Sequence, residues 1–114
     1  MIYGIYASIA GMRAADKRLA NAAGNIANSN TDGYKRTEAT AVEDKVELPE
    51  VNIVRDPAPG AIIEESDGVQ RETSNVDLSW EMPEMMIAKR AYQANVQTIK
   101  AQDEALQSVL DIVA

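Results

Sequence analysis

The sequence predicts a mainly α protein. Two long terminal helices pair as an antiparallel coiled coil, with a small β-hairpin and loop region between them. Three observations lead there. The last third carries apolar residues at Met82, Met85, Tyr92, Val96, Ile99, Leu106, Leu110 and Val113, spaced alternately three and four apart with gaps only at Lys89 and Asp103. That is the a/d repeat of a coiled-coil helix. The first helix carries the same repeat in Ile2, Ile5, Ile9, Met12, Leu19, Ala23 and Ile26. Between the two seams, no helical period appears and turn-forming residues are dense.

Each element has its own reasons. Residues 3–28 contain eight alanines and mostly straight-chain polar residues, so they read as one helix. Gly11 and Gly24 lie inside it and would each cost about 1 kcal/mol against alanine. They are either tolerated or places where another backbone comes close. The run Ser29-Asn30-Thr31-Asp32-Gly33 should end the helix, and Tyr34-Lys35-Arg36 should leave in an extended direction.

Residues 37–75 hold the acidic middle. Val51-Asn52-Ile53 alternates, Asp56-Pro57-Ala58-Pro59-Gly60 reads as a turn, and Ala61-Ile62-Ile63 reads as the second strand of a hairpin. A further turn is expected at Ser66-Asp67-Gly68. The second helix is expected over 79–113, capped by Asp77 or Ser79. Pro83 should fall in its first turn, or else a short turn over 77–81 should precede the main helix. The organisation is thus 1–36 (helix and turn), 37–75 (hairpin insert) and 76–114 (coiled-coil helix).

The seams must be covered, because an apolar stripe left in water is costly. Antiparallel pairing through the middle segment would set Leu19 near Tyr92 to Ile99, and Ile5 near Leu106 to Leu110. Asp16, Lys89 and Asp103 interrupt the seams. They read as surface positions where the stripe drifts off its partner, or as selectors of register, with Asp103 able to reach Arg13. Tyr92 should be core, and the methionines at 82, 85 and 86 should be packing residues.

Composition narrows the function. The chain of 114 residues has no Cys, His or Phe and a net charge of −7. Disulfides and Cys or His metal sites are therefore excluded, and no imidazole is available as a general base. Glu43-Asp44 and Glu64-Glu65 are adjacent carboxylates, which on a strand point to opposite faces and do not make an acid–base pair. The expectation is a protein that is not an enzyme and needs no cofactor. Charge runs from +3 over 1–36 through −7 over 37–75 to −3 over 76–114. Without a basic face, neither nucleic acid nor an anionic membrane is an expected partner. No apolar run approaches the length of a membrane span, so direct membrane insertion is not expected, and the start lacks the order of a cleaved secretory signal.

Two segments carry a resemblance. Gly24-Asn25-Ile26-Ala27-Asn28-Ser29-Asn30-Thr31-Asp32-Gly33-Tyr34-Lys35-Arg36 is similar to the N-terminal signature of the bacterial flagellar rod and hook proteins. Asn75-Val76-Asp77-Leu78, followed by Glu81-Met82 and Arg90-Ala91-Tyr92-Gln93-Ala94-Asn95, is similar to their C-terminal signature. The departures are Gly24 in place of the first Asn, and Trp80 and Pro83 near the start of the second helix. The short middle is most similar to the small proximal-rod proteins, whereas the Gly33-Tyr34-Lys35 ending is closer to the distal-rod and hook members.

The resemblance implies a structural subunit of the flagellar basal-body rod that crosses the periplasm. It would be exported through the flagellar type III apparatus without a cleaved signal peptide. It would polymerise with copies of itself and other rod and hook proteins into a tube that transmits torque and walls the export channel. The residues implied in assembly are Asn25, Ile26, Ala27, Asn28, Asn30, Thr31, Gly33, Tyr34, Lys35, Asn75, Val76, Asp77, Leu78, Glu81, Met82, Arg90, Ala91, Tyr92 and Asn95. A free-standing helical adaptor or export-associated protein with the same end motifs is the competing reading. Locally, the signature asparagines and Thr31 can cap carbonyls and shape a turn.

Overall fold

The computed structural model describes residues 2–43 and 48–114, Glu43 by its backbone alone. The molecule is elongated, 80 × 26 × 14 Å. Helix α1 is Ile2–Ala27 and helix α2 is Leu78–Val113. Between them come β1 (Thr37–Glu43), β2 (Pro49–Arg55), β3 (Ile62–Glu64) and β4 (Gln70–Glu72). Among the described residues no helix is long and apolar enough to cross a membrane.

Helix α1 ends where the polar cluster begins, and Gly33 takes a positive φ of 69° that suits glycine. Helix α2 starts at Asp77, whose extended backbone and carboxylate cap the first turn. Pro83 is neither in the first turn nor at a break: it lies in the second turn of a continuous helix. Its missing N–H takes a partner from the Ser79 carbonyl. Both residues are exposed, so water can serve that carbonyl instead.

The two helices contact each other in opposite directions. Gly4 lies against Gln102 and Gly11 against Asn95, while Arg18 Nε donates to Glu84 Oε1 at 2.9 Å. The expected register is corrected by about one heptad. Gly11 is level with Asn95, which places Leu19 level with Ile87 in the third turn of α2 rather than with Tyr92 to Ile99. Ile5 stands beside the Gln102 level, not beside Leu110. Asp103 is therefore level with the first turn of α1. It lies about 15 Å along the helix from Arg13, out of reach of an ion pair.

The line of contact is also not the predicted seam. On α1 it runs through Gly4, Ser8, Gly11, Ala15, Arg18, Ala22 and Asn25; on α2 through Glu81, Glu84, Ala88, Ala91, Asn95 and Gln102. Each line lies one residue before the apolar row. The row itself flanks the contact: Ile5, Ile9, Met12, Leu19, Ile26, Met85, Val96, Ile99 and Leu106 are half-buried. Leu110 and Val113 are exposed, and Tyr92 is a rim residue rather than core. Met82 and Met86 are also exposed, and only Met85 of the three methionines packs. The seam interruptions are resolved by this shift. Asp16, Lys89 and Asp103 are exposed, while the positions just before them, Ala15, Ala88 and Gln102, lie on the contact line.

Small residues are what let the helices touch. A Cβ on Gly11 would sit 2.7 Å from Asn95 Oδ1, and one on Gly4 would sit 2.7 Å from Gln102 Nε2. Gly24 has nothing within 4 Å of the same position, so it is simply tolerated.

The middle contains two hairpins rather than one. Strand β1 pairs antiparallel with β2, Thr37 opposite Arg55, and β3 pairs with β4, Ile62 opposite Glu72. The predicted strands at 51–53 and 61–63 are both present, but they belong to different sheets. The β1–β2 hairpin lies on α1, where buried Val51 approaches the Ala10–Lys17 stretch and Lys17 Nζ donates to the Val51 carbonyl at 2.6 Å. The β3–β4 turn falls at Asp67-Gly68 as expected, with Gly68 at φ 81°. Glu64 and Glu65 are both exposed, and Asp44 of the other carboxylate pair lies outside the described residues.

Candidate assembly site

The two signature segments meet at one end of the helix pair. Asn25, fully buried on the last turns of α1, is the centre of that junction. Its Nδ2 donates to the Thr37 carbonyl at 2.7 Å, and its Oδ1 accepts from the Thr37 N–H at 3.0 Å. A side-chain amide thus pairs with both backbone groups of the first strand residue, as a neighbouring strand would. The same Oδ1 accepts from Tyr34 OH at 3.2 Å. Asn21 adds a parallel pair, donating to the Thr37 carbonyl at 2.9 Å and accepting from Thr37 Oγ1 at 2.6 Å. A buried Asn with its donors and acceptors used is a rigid element; left unpaired it would be costly.

The neighbouring signature residues shape the turn. Asn28 Nδ2 donates to the Gly24 carbonyl at 2.8 Å, and Thr31 Oγ1 donates to Asn28 Oδ1 at 3.1 Å. Gly33 N–H then donates to the Glu72 carbonyl at 2.9 Å, tying the turn to β4. Lys35 reaches the Glu72 carboxylate and donates to the Ala58 carbonyl at 3.2 Å. The Lys35 ammonium, with the Gly60 N–H behind it, holds the Glu72 carboxyl below its usual range.

The C-terminal signature completes the junction. Asn75 Oδ1 accepts from the Arg36 N–H at 2.5 Å, and its Nδ2 donates to the Ala58 carbonyl at 2.8 Å. Asp77 accepts from the Ser79 hydroxyl at 2.5 Å and the Ser79 N–H at 2.9 Å; these bonds lower its pKa from the ordinary value. Glu81 has a side chain only 1% exposed, and the Arg36 guanidinium is paired with it. A buried carboxylate needs such a partner.

Not every signature residue joins this junction. Ala91 and Asn95 lie along the helix contact instead, Asn95 over Gly11 with its Nδ2 on the Ala91 carbonyl at 2.9 Å. Ile26 and Val76 are half-buried at its edge. Ala27, Asn30, Leu78, Met82 and Arg90 are exposed. Thr37, Asn21 and Arg36 are central to the junction, yet sequence reasoning did not single them out.

No cluster of three or more potential metal ligands occurs among the described residues. The geometry offers rigid attachment. Two helices are welded at one end, with a half-exposed apolar row along their length. A groove of about 420 Å³ between Ile9, Met12, Tyr92 and Ile99 marks where the rows of both helices share one side.

Comparison with known proteins bears on both ends. A family model described as flagella basal body rod protein matches residues 5–35. A second, described as the C-terminal part of flagellar basal body rod FlgEFG proteins, matches residues 69–112. The flagellar hook protein FlgE of Escherichia coli (strain K12) is 51% identical over 41 residues, 36% of this chain and 10% of that protein. FlgE of Salmonella typhimurium gives the same values. The flagellar basal-body rod protein FlgG of Bacillus subtilis is 28% identical over 89 residues, 78% of this chain and 33% of that protein. The chain spans a third or less of the length of these relatives.

Proposed function

Because this chain belongs to the flagellar rod and hook axial family, we propose that it is a structural subunit of the basal-body rod, and not an enzyme. Its partners are copies of itself and other rod and hook proteins. It reaches the rod through the flagellar export apparatus. In the assembled tube the two helices wall the channel, and the hairpins face outward and carry torque between subunits. There the half-exposed apolar row of each pair becomes a coiled-coil seam against a neighbouring pair. Contacts of that kind, between different faces of identical subunits, give open helical arrays.

The single observation that carries the reading is the junction. Both signatures are used to weld α1, β1 and α2 together, through Asn25 on Thr37 and Arg36 on Glu81. The large apolar side chains are meanwhile spent only partly inside the molecule. A protein that has to stand alone covers such surface; a subunit keeps it for its neighbours.

The test is deletion of the gene in its host, followed by complementation. Loss of flagella on deletion, with no rescue by a Leu106→Asp copy, is the expected result. Normal flagella in the deletion strain would overturn the reading in favour of a helical adaptor.

A further inference from the structure

We propose that the projecting end of α2 in one copy docks on the outer face of the first turns of α2 in the next copy. The inference rests on the axial-assembly reading and adds the contact to it. With Gly4 level with Gln102, the stretch of α2 beyond Leu106 has no α1 residue opposite it among the described residues. That stretch exposes Val109, Leu110, Ile112 and Val113, by 49 to 81%. At the other end of α2, on the side away from α1, Leu78, Met82 and Met86 are exposed by 44 to 57%.

These two apolar faces cannot cover each other within one molecule. Met86 and Leu110 are 24 residues apart on one continuous helix, about 36 Å at 1.5 Å per residue. They can meet only between copies. Charge favours the same pairing. Lys89 and Arg90 follow the methionine face and form no ion pair among the described residues. The projecting end brings Glu104 and Asp111, likewise without a cation among the described residues. A basic rim beside one apolar face and an acidic rim beside the other make the contact directional. Methionine suits the receiving face, since its flexible thioether adapts to an incoming helix. The contact joins different faces of identical chains, so it propagates instead of closing.

The chain has no cysteine, which makes the test direct. The full-length protein carrying Met86→Cys and Leu110→Cys together is oxidised at high concentration and run without reductant. A ladder of multimers is expected, with each single variant giving dimers at most. Ile63→Cys in place of Met86→Cys gives no ladder. Reversing the basic rim with Lys89→Glu and Arg90→Glu slows the ladder about tenfold, and adding Glu104→Lys and Asp111→Lys restores it. Circular dichroism verifies that the helices persist; the substituted positions are exposed, so they should. Monomers alone, or closed dimers alone, from the double-cysteine protein would overturn the proposal. The ladder is read on purified protein and the rod reading on flagella in the deletion strain. A missing ladder with flagella still dependent on the gene removes only this contact.

Discussion

The two ends of the helix pair are built on opposite plans. At the junction end, buried polar groups are matched one to one: Asn25 to the backbone of Thr37, Arg36 to Glu81, Asn75 to the Arg36 N–H. At the far end, glycines meet amide side chains, Gly4 with Gln102 and Gly11 with Asn95, and the large apolar residues point outward. Polar matching fixes one geometry, because any displacement leaves a buried group unpaired. Contact between small residues allows close approach but adds little area per residue. The molecule is therefore specified at one end and available at the other.

The largest expected effect would come from breaking the matched end. Arg36→Ala strands the buried Glu81 carboxylate and should cost about 3–5 kcal/mol in urea unfolding. If the cost is under 1 kcal/mol, the ends do not differ as described. Asn25→Ala removes the pairing to Thr37 and should cost about 2–3 kcal/mol by the same measurement. Its signature is earlier loss of strand signals than of helix signals.

Two glycine substitutions sharpen the contrast along α1. Gly24→Ala meets open space and should stabilise by about 0.5–1 kcal/mol through helix propensity. Gly11→Ala forces its Cβ into Asn95, so the same gain is cancelled or reversed by a repacking cost of about 1–3 kcal/mol. Equal thermal shifts for the two variants would mean that Gly11 is not a contact. At the far end, Ile112→Ser should leave monomer stability within about 0.5 kcal/mol, because nothing covers Ile112 in the single molecule.

The smallest effect is on pH. Asp77 has its pKa lowered in the folded state by the Ser79 hydroxyl and N–H. Its contribution is therefore complete above the unfolded aspartate pKa and is lost as pH falls through the lower folded value. Amide exchange at Ser79 should speed up below the ordinary aspartate range. Asp77→Asn should keep the cap and abolish that dependence.

Much of this was readable in the residues. Local chemistry announced the end of α1, the turns at Gly33 and Gly68, and Asp77 as one of two candidate caps with Ser79, because each depends on a few neighbouring side chains. Strand β1 was not legible. Thr37-Glu38-Ala39-Thr40-Ala41-Val42-Glu43 is poor in large apolar residues, and Asn25, Asn21 and β2 hold it from a distance. The helix contact was read one residue away from where it lies. Hydrophobic periodicity weighs Ile, Met and Leu, whereas Gly4, Ser8, Gly11, Ala15 and Ala88 carry almost no weight on that scale. The row that announced itself most strongly is the one the monomer leaves half uncovered.

The pairing of Asn25 and Asn21 with Thr37 has a mechanical meaning. Their hydrogen bonds to Thr37 lie side by side on the last turns of a stiff helix. A pull on the hairpin along the helix axis loads them together, so they share the force. A pull that separates the helices from the Gly4–Gln102 end meets its contacts in succession and opens them singly. The same molecule thus resists shear at its root and yields to peeling at its tip.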